Sequence, residues 1–307
     1  MEPVKFSLLI TTRNRLEELK VTLEKISPLL ARPDVECLVY DDGSADGTSG
    51  FLIGCGLPLQ TFRNEISKGL IYCRNRMLEK ASGEFAVSID DDLNFLSEDP
   101  LEKIAAHFET HPGCAVVSFR IFWSRKEPAF THTSEKAHRV SSFAGGAHAM
   151  RLSAWREVPD YPEWFVFHGE ESFAAVSFFK HGFEVHYLPE VLTHHRVDMK
   201  ARKKQPDHIR RQRYSLRSGW FLFFLFLPKR RIPKRMASSI ELQLKQALKK
   251  RSFTILRTLL LATGDLVLAM PKIIRQANRL RISEHNAIRA LPHVRIYWRP
   301  EEEPDAP

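Results

Sequence analysis

Short apolar runs alternate with amphipathic stretches through the first two thirds of this 307-residue chain, and the runs end in polar clusters. Phe6–Ile10 is the first run, apolar enough for a strand buried on both faces. Apolar residues then recur at Leu16, Leu19, Leu23, Ile26 and Leu30, the spacing that gives a helix one apolar face. Val35–Tyr40 predicts a second strand, 69–81 a helix, Phe85–Ile89 a third strand, Pro100–Thr110 a helix and Ala115–Phe122 a further strand. Such alternation folds as a mostly parallel, doubly wound α/β sheet, because parallel neighbours need a helical crossover between them. Ligands of these sheets bind beyond the carboxyl ends of the strands. From Trp123 to Ser142 the pattern dissolves into a polar loop. Gly145 and Gly146 then open a new segment, Glu170–Gly182 predicts a helix and Phe183–Leu188 a last strand.

Two of the strand ends are acidic. Asp90, Asp91 and Asp92 follow the third strand, and three adjacent carboxylates repel one another unless a cation offsets them. Their oxygens are hard ligands suited to Mg²⁺ or Mn²⁺, ions that also grip phosphates. Asp is equally a favoured N-cap residue, so a helix starting near Leu93 is the alternative reading. The second acidic end holds Asp41, Asp42, Gly43, Ser44 and Asp46, a turn-forming set in which Gly43 and Gly47 admit unusual backbone angles. Alone it reads as a surface turn. Beside Asp90–Asp92 on a neighbouring strand it converges on one crevice.

In this order and spacing the landmarks resemble the inverting family 2 glycosyltransferases of the GT-A fold, of the kind that builds bacterial cell-surface glycans. The resemblance rests on Ile10–Arg15, on Val39–Ser44 with Asp46–Thr48, on Asn64 with Gly69, Arg74 and Asn75, and on Ser88–Asp92. Further along, Gly145 and Gly146 with Arg151 resemble the family's acceptor-side segment, His168–Ser172 its Glu-Asp motif, and Leu192–His195 the histidine element that closes the site. The match spans roughly residues 4–200. It implies a nucleoside-diphosphate-sugar donor bound by Thr11, Arg13, Asp41, Arg74, Asp90 and Asp91. It also implies a Mg²⁺ or Mn²⁺ ion held by Asp92, Asp90 and His195, and a lipid-linked or growing glycan as acceptor. Inverting transfer needs one base to take the proton of the acceptor hydroxyl. Glu171 stands where the family commonly has Asp, and the adjacent Glu170 leaves the choice of base open between them. The alternative for this pair is a solvated helix-start cluster favoured by the helix dipole.

Charge is unevenly placed. Up to His195 the chain has 20 Lys+Arg against 28 Asp+Glu, and after it 26 against 9. An acidic body with a basic extension points to a catalytic domain, residues 1–200, joined to an anion-seeking helical region, 201–300, with an acidic disordered tail, 301–307. Arg210, Arg211, Arg213 and Arg217 precede the apolar segment Trp220–Leu227, and Lys229, Arg230 and Arg231 follow it. A cationic collar around an aromatic plug predicts docking on an anionic membrane surface; the alternative is packing of the plug on the catalytic domain. Ile255–Ile274 is interrupted by Arg257, Asp265 and Lys272, and no run reaches about 20 uninterrupted apolar residues.

Cys37, Cys55, Cys73 and Cys114 show neither C-x-x-C nor zinc-finger spacing. They predict reduced thiols in a cytoplasmic protein, peripheral on the inner face of the cell membrane, with Cys37 inside a strand. The N-terminus has no signal-peptide pattern. His107, His111, His132 and His138 are expected at the surface. Nucleic-acid-binding signatures are absent, so no nucleic-acid partner is expected. A nucleotidyltransferase would need a glycine-rich phosphate loop, and Ile10–Arg15 contains no glycine. A sugar-nucleotide-binding scaffold without turnover is the other reading of the same landmarks; the carboxylates at 90–92 and 170–171 argue against it.

Overall fold

The computed structural model describes residues 3–197 and 207–300. The body of the chain is built on one mixed nine-stranded sheet. Its parallel half contains β1 (Phe6–Thr12), β2 (Val35–Asp41), β3 (Leu59–Arg63) and β4 (Phe85–Asp90), in the order β3-β2-β1-β4. The crossovers are α1 (Leu16–Leu30), α2 (Thr48–Gly54) and α3 (Leu70–Lys80). Beyond β4 the order continues β8-β6-β9-β5, with β5 (Leu93–Phe95), β6 (Cys114–Trp123), β8 (Ala147–Arg151) and β9 (Glu184–His195). A short β7 (His138–Val140) also pairs with β9. Strands β8, β5 and β7 run antiparallel to their neighbours, whereas β6 and β9 are parallel. Helices α4 (Pro100–Thr110), α5 (Leu152–Trp155) and α6 (Glu170–Lys180) complete the body.

The period-two alternation of strands divides the core between two faces. Leu8, Ile10, Cys37 and Val39 pack with Leu19, Leu23 and Ile26 of α1 and Ile104 and Phe108 of α4. Leu9, Leu38 and Tyr40 face the other way, towards Ile71 and Met77 of α3 and Phe173 and Phe178 of α6. Residues after Asp92 form β5, not a helix, so the N-cap reading of the acidic cluster does not hold. The sequence pattern missed β3, β5, β7 and β8.

The C-terminal region is helical, with α7 (His208–Phe226), α8 (Ile232–Lys250), α9 (Phe253–Gln276) and α10 (Ile282–Ala290). The expected membrane plug is a core element instead. Trp220, Phe221, Leu225 and Phe226 are buried in the same cluster as Phe165 and Phe173, with ring centroids 5.5 Å apart for Phe165–Phe221 and 5.2 Å for Phe173–Phe226. A helix segment apolar on every side is stable only when buried, and each such ring contributes roughly 1.5–3 kcal/mol. Arg213 and Arg217, expected to meet lipid phosphates, pair with Asp265 of α9 at 2.5 and 3.6 Å. The chain finally returns to the sheet: the Trp298 amide donates to the Ile121 carbonyl at 2.8 Å, and its buried ring lies under the Arg120 guanidinium. The expected division near residue 200 and the acidic tail fall in 198–206 and 301–307, outside the described residues. Of the histidines expected at the surface, His107 is buried; His111, His132 and His138 are exposed. Cys37 lies in β2 as expected, and all four cysteines are free thiols.

Candidate active site

The carboxyl ends of β1 and β4, the turn after β2, the N-termini of α3 and α6 and the first turn of α7 enclose one cleft of about 1070 Å³. It is lined by Thr11, Arg13, Arg74, Asp90, Asp91, Asp92, Gly145, Gly146, Glu170, Glu171 and His195, every residue expected at the site except Asp41. Asp41 is buried and holds the turn after β2, its carboxylate accepting from the Ser44 amide at 2.8 Å and from Arg63 at 3.2 Å. Its neighbour Asp42 lines the cleft instead. The Asp42 carboxylate accepts from Asn64 Nδ2, Ser67 Oγ, Lys68 N and Gly69 N at 2.6–2.9 Å, pinning the loop that opens α3. Burial pushes this carboxyl up, but those hydrogen bonds win and hold it below its ordinary range.

The three aspartates after β4 divide as chain alternation dictates. The Asp91 carboxylate is committed to Thr12 Oγ1 at 2.8 Å and Arg15 Nε at 2.9 Å, so it organises the β1–α1 loop. Asp90 and Asp92 share the other side with His195 from the end of β9, their ligand atoms all within 4.8 Å of one another. Asp92 Oδ1 lies 3.0 Å from His195 Nε2, and its other oxygen takes a hydrogen bond from Arg15 at 2.5 Å. Two carboxylates and one imidazole form a hard to borderline donor set that fits Mn²⁺ or Mg²⁺.

Beside this cluster lies a buried ion-pair network. Arg74 of α3 reaches Glu170 Oε1 at 2.7 Å and Asp90 Oδ1 at 3.3 Å. Gly146 makes room for it: the Asp90 amide donates to the Gly146 carbonyl, and a Cβ at 146 would lie 2.1 Å from Asp90 Oδ2. Gly145 packs as closely on Arg74, where a Cβ would meet Nη1 at 2.9 Å. The pair expected on the acceptor side therefore also floors the Asp90–Arg74 contact. Both glutamates open α6 behind Gly169, and the preceding loop carries positive φ at Val166 (68°) and His168 (67°), strained for side-chain-bearing residues.

The two glutamates differ. Glu170 is ion-paired, whereas burial, and then the adjacent Glu170 charge, push the Glu171 carboxyl well above the usual range. Neither is a solvated helix-start charge. Thr11 Oγ1, Glu170 Oε2 and Glu171 Oε2 are buried in the cleft without a partner among the described residues, which leaves hydrogen-bonding capacity for a ligand.

Other lining residues were not anticipated. Lys68 and Ser67 come from the loop that Asp42 holds, Trp123 and Ile296 from the far wall, and Asp207, Arg210, Arg211 and Tyr214 from α7. Trp123 leans against His195, with ring centroids 4.2 Å apart and the planes tilted by 57°. Arg210 and Arg211, assigned from the sequence to a lipid-facing collar, therefore bring positive charge to the cleft.

This geometry defines an α/β protein with a polar cleft at the strand ends, an acidic metal-type centre and several cations placed for an anionic, phosphate-bearing ligand. The description "Glycosyl transferase family 2" matches residues 7–174. The chain belongs to family 2 of the glycosyltransferases. It is 29% identical over 150 residues to the uncharacterized glycosyltransferase YwdF of Bacillus subtilis (strain 168), which covers 46% of this chain and 55% of YwdF. The chain thus spans about half the length of that relative. GalNAc-T7, solved with UDP, GalNAc and Mn²⁺, superposes with a TM-score of 0.59 at 14% identity, over 74% of this chain and 49% of that one. The mannosyltransferase PcManGT from Pyrobaculum calidifontis, in complex with GDP-Man and Mn²⁺, superposes with a TM-score of 0.56 at 18% identity, over 94% and 81%. At these identities the likeness establishes the fold, which is GT-A.

Proposed function

We propose that the protein transfers a sugar from a nucleoside diphosphate to a hydroxyl of a lipid-linked or growing glycan, with inversion at the anomeric carbon. The observation that carries this reading is the pair of distinct carboxylate sites in one cleft: Asp90, Asp92 and His195 on one side, Glu171 on the other. Thr11 and Arg13 receive the nucleoside end. Asp90, Asp92 and His195 would hold Mg²⁺ or Mn²⁺, which when bound neutralises charge on the departing diphosphate. Arg210, Arg211 and Lys68 add fixed positive charge around the phosphates.

Glu171 is the base. Glu170 is held in place by its ion pair with Arg74, while Glu171 has a raised affinity for protons and an oxygen without a partner among the described residues. The acceptor O–H proton passes to the Glu171 carboxylate as the oxygen forms its bond to the anomeric carbon. The bond from that carbon to the phosphate oxygen breaks, and the electron pair leaves with the nucleoside diphosphate. A single displacement of this kind inverts the centre.

The protein sits on the inner membrane face through α8 and α9 rather than through the aromatic plug. Helix α9 is long and apolar enough to cross a membrane by length and composition. Its one side is docked through Thr258, Ala262, Leu266 and Ile273, and its Asp265 is paired to α7, which favours lying on the surface over spanning. The outward side carries Phe253, Leu260, Val267 and Ile274, a stripe repeating every seven residues and at least 65% exposed, with Lys272, Arg275, Lys249 and Lys250 nearby in the chain.

A donor screen tests the function: UDP-, dTDP- and GDP-sugars are added with Mn²⁺, and melting temperature and sugar transfer to a lipid-linked acceptor are measured. One donor class raises the melting temperature by mass action and yields a product of inverted configuration. Binding of no nucleotide sugar, or retention in the first-formed product, overturns the reading.

A further inference from the structure

At the other end of β9, His107 of α4 and His111, the residue that caps it, meet His186, with one ring nitrogen from each within 4.8 Å of the others. His186 pairs with Val117 and His195 with Trp123, six residues apart on β6 and roughly 20 Å at the rise of extended chain, so this cluster is separate from the cleft. The hydrogen bonds fix which nitrogen of two rings is free. His111 Nδ1 lies 3.0 Å from the His107 carbonyl and 2.9 Å from Thr110 Oγ1, whose own proton goes to the Ala106 carbonyl at 2.9 Å, so Nδ1 carries the proton and leaves Nε2 with a lone pair. His186 Nε2 lies 3.0 Å from Glu184 Oε2 and donates to it, leaving Nδ1 as the free lone pair. That Nδ1 faces His107 Nε2 at 2.9 Å. The Glu184 carboxylate is itself anchored by Arg139 at 2.8 Å.

We propose that His107 Nε2, His111 Nε2 and His186 Nδ1 bind a divalent transition-metal ion of the Zn²⁺ class, with Glu184 orienting His186 from behind. Three imidazoles suit Zn²⁺, Ni²⁺ or Cu²⁺ and not Mg²⁺ or Ca²⁺. Tetrahedral Zn–N bonds of about 2.0 Å place ligand atoms about 3.3 Å apart, so small side-chain movements close the set. A histidine ligand backed by a carboxylate is the usual way a protein fixes the ring and raises its basicity. His111 caps α4 four residues after His107, and the two rings stack with centroids 4.3 Å apart, which brings both to one side. Burial pushes His107 down to about 4 and lowers His186, which keeps both rings in the neutral form that ligation requires. His111 is exposed, so an ion reaches the site from solvent and completes its coordination with water. Bound there, it ties the end of α4 to the start of β9 and supports the sheet at the edge away from catalysis.

The test uses untagged full-length protein in excess Mg²⁺, titrated with Zn²⁺ against a chromophoric chelator, with melting temperature followed in parallel. Wild type takes up a Zn²⁺ ion and gains thermal stability. His111→Ala, a change at an exposed position, weakens that binding about tenfold or more and abolishes the gain, with sugar transfer in Mg²⁺ unchanged. Glu184→Gln weakens it about 10–100-fold, as loss of an outer partner does. Zn²⁺ uptake that is equal in wild type and His111→Ala overturns the proposal. So does uptake that disappears in Asp92→Ala alone, which would place the ion in the cleft. Absence of uptake also overturns it and leaves the cluster as a His107–His186–Glu184 hydrogen-bond chain.

Discussion

Gly146→Ala is the smallest change that disturbs the centre of the cleft. Gly146 has no positive φ, so its backbone accepts alanine and the effect comes from space alone. The added Cβ would sit 2.1 Å from Asp90 Oδ2 and 2.4 Å from Asp90 Cγ. Carbon atoms are not found below 3.0 Å in such contacts, so the carboxylate must retreat by about 0.9 Å or more. Asp90 then leaves its contact with Arg74 or its place beside Asp92 and His195. Misplacing a reacting group by about 1 Å costs on the order of 10²-fold, or about 2.7 kcal/mol of barrier. The expected result is a fall of about a hundredfold in kcat/KM, a higher Mn²⁺ concentration for half-maximal rate, and a melting temperature within a few degrees of wild type. Gly50→Ala in α2, where nothing lies within 4 Å of the added carbon, is the matched control and keeps full activity. A Gly146→Ala enzyme within threefold of wild type, with the same Mn²⁺ dependence, would refute the placement of Asp90 in the catalytic centre.

The remaining predictions concern the base, the metal ligands and the membrane face. Glu171→Gln lowers kcat by about 10²–10⁴-fold while donor affinity changes little, whereas a dead Glu170→Gln beside an active Glu171→Gln moves the base by one residue. The acid limb of the kcat–pH profile lies above the ordinary Glu range near 4.3, because activity is lost as pH falls through the raised pKa of Glu171. The linked stability has the opposite sign: with the folded-state pKa raised, the contribution is full below the unfolded value and is lost as pH rises through the folded one. Asp92→Ala abolishes Mn²⁺-dependent donor binding by calorimetry. Phe253→Ser, Leu260→Ser and Val267→Ser together release the protein from anionic liposomes without lowering its melting temperature. Phe221→Ser instead costs several kcal/mol, about 3–5 by analogy with other buried Phe truncations, and shows as loss of folded protein.

The half of the sheet that was legible in the sequence is the half whose strands are buried on both faces. β1, β2, β4 and β6 are largely apolar runs, and the carboxylates that border the cleft stand at the ends of β2 and β4 because parallel sheets collect loops at one end. β3 escaped notice because none of its five residues is fully buried, so it carries no apolar period. β8 reads Ala147, His148, Ala149, Met150 and Arg151, too small and polar to announce a strand; neighbours on β4 and β6 bury it. The choice between Asp41 and Asp42 was equally hidden. Adjacent residues at a strand end face opposite ways, and only the loop around Ser67 and Gly69 decides which carboxylate borders the cleft.

The basic C-terminal third shows where composition misdirects. A cluster of arginines beside an apolar run has the same sequence pattern whether it meets lipid, an aspartate or a phosphate. The structure separates the cluster by rotation about α7: Arg213 and Arg217 turn to Asp265, 52 and 48 residues further along the chain, while Arg210 and Arg211 turn to the cleft. That information resides in the docking of α9, not in any local window. The local pattern did not separate the two apolar segments: it pointed Trp220–Leu227 to the membrane, and the structure buries that segment in the core. Trp220–Leu227 has no polar side, a pattern that a helix enclosed by protein shares with one seated in a membrane. Phe253, Leu260, Val267 and Ile274 repeat every seven residues, and Asp265, two positions before Val267, falls on the far side of the helix. With its acid turned to the body, α9 leaves that apolar stripe outward and exposed, and it is this surface that the liposome-release prediction reads.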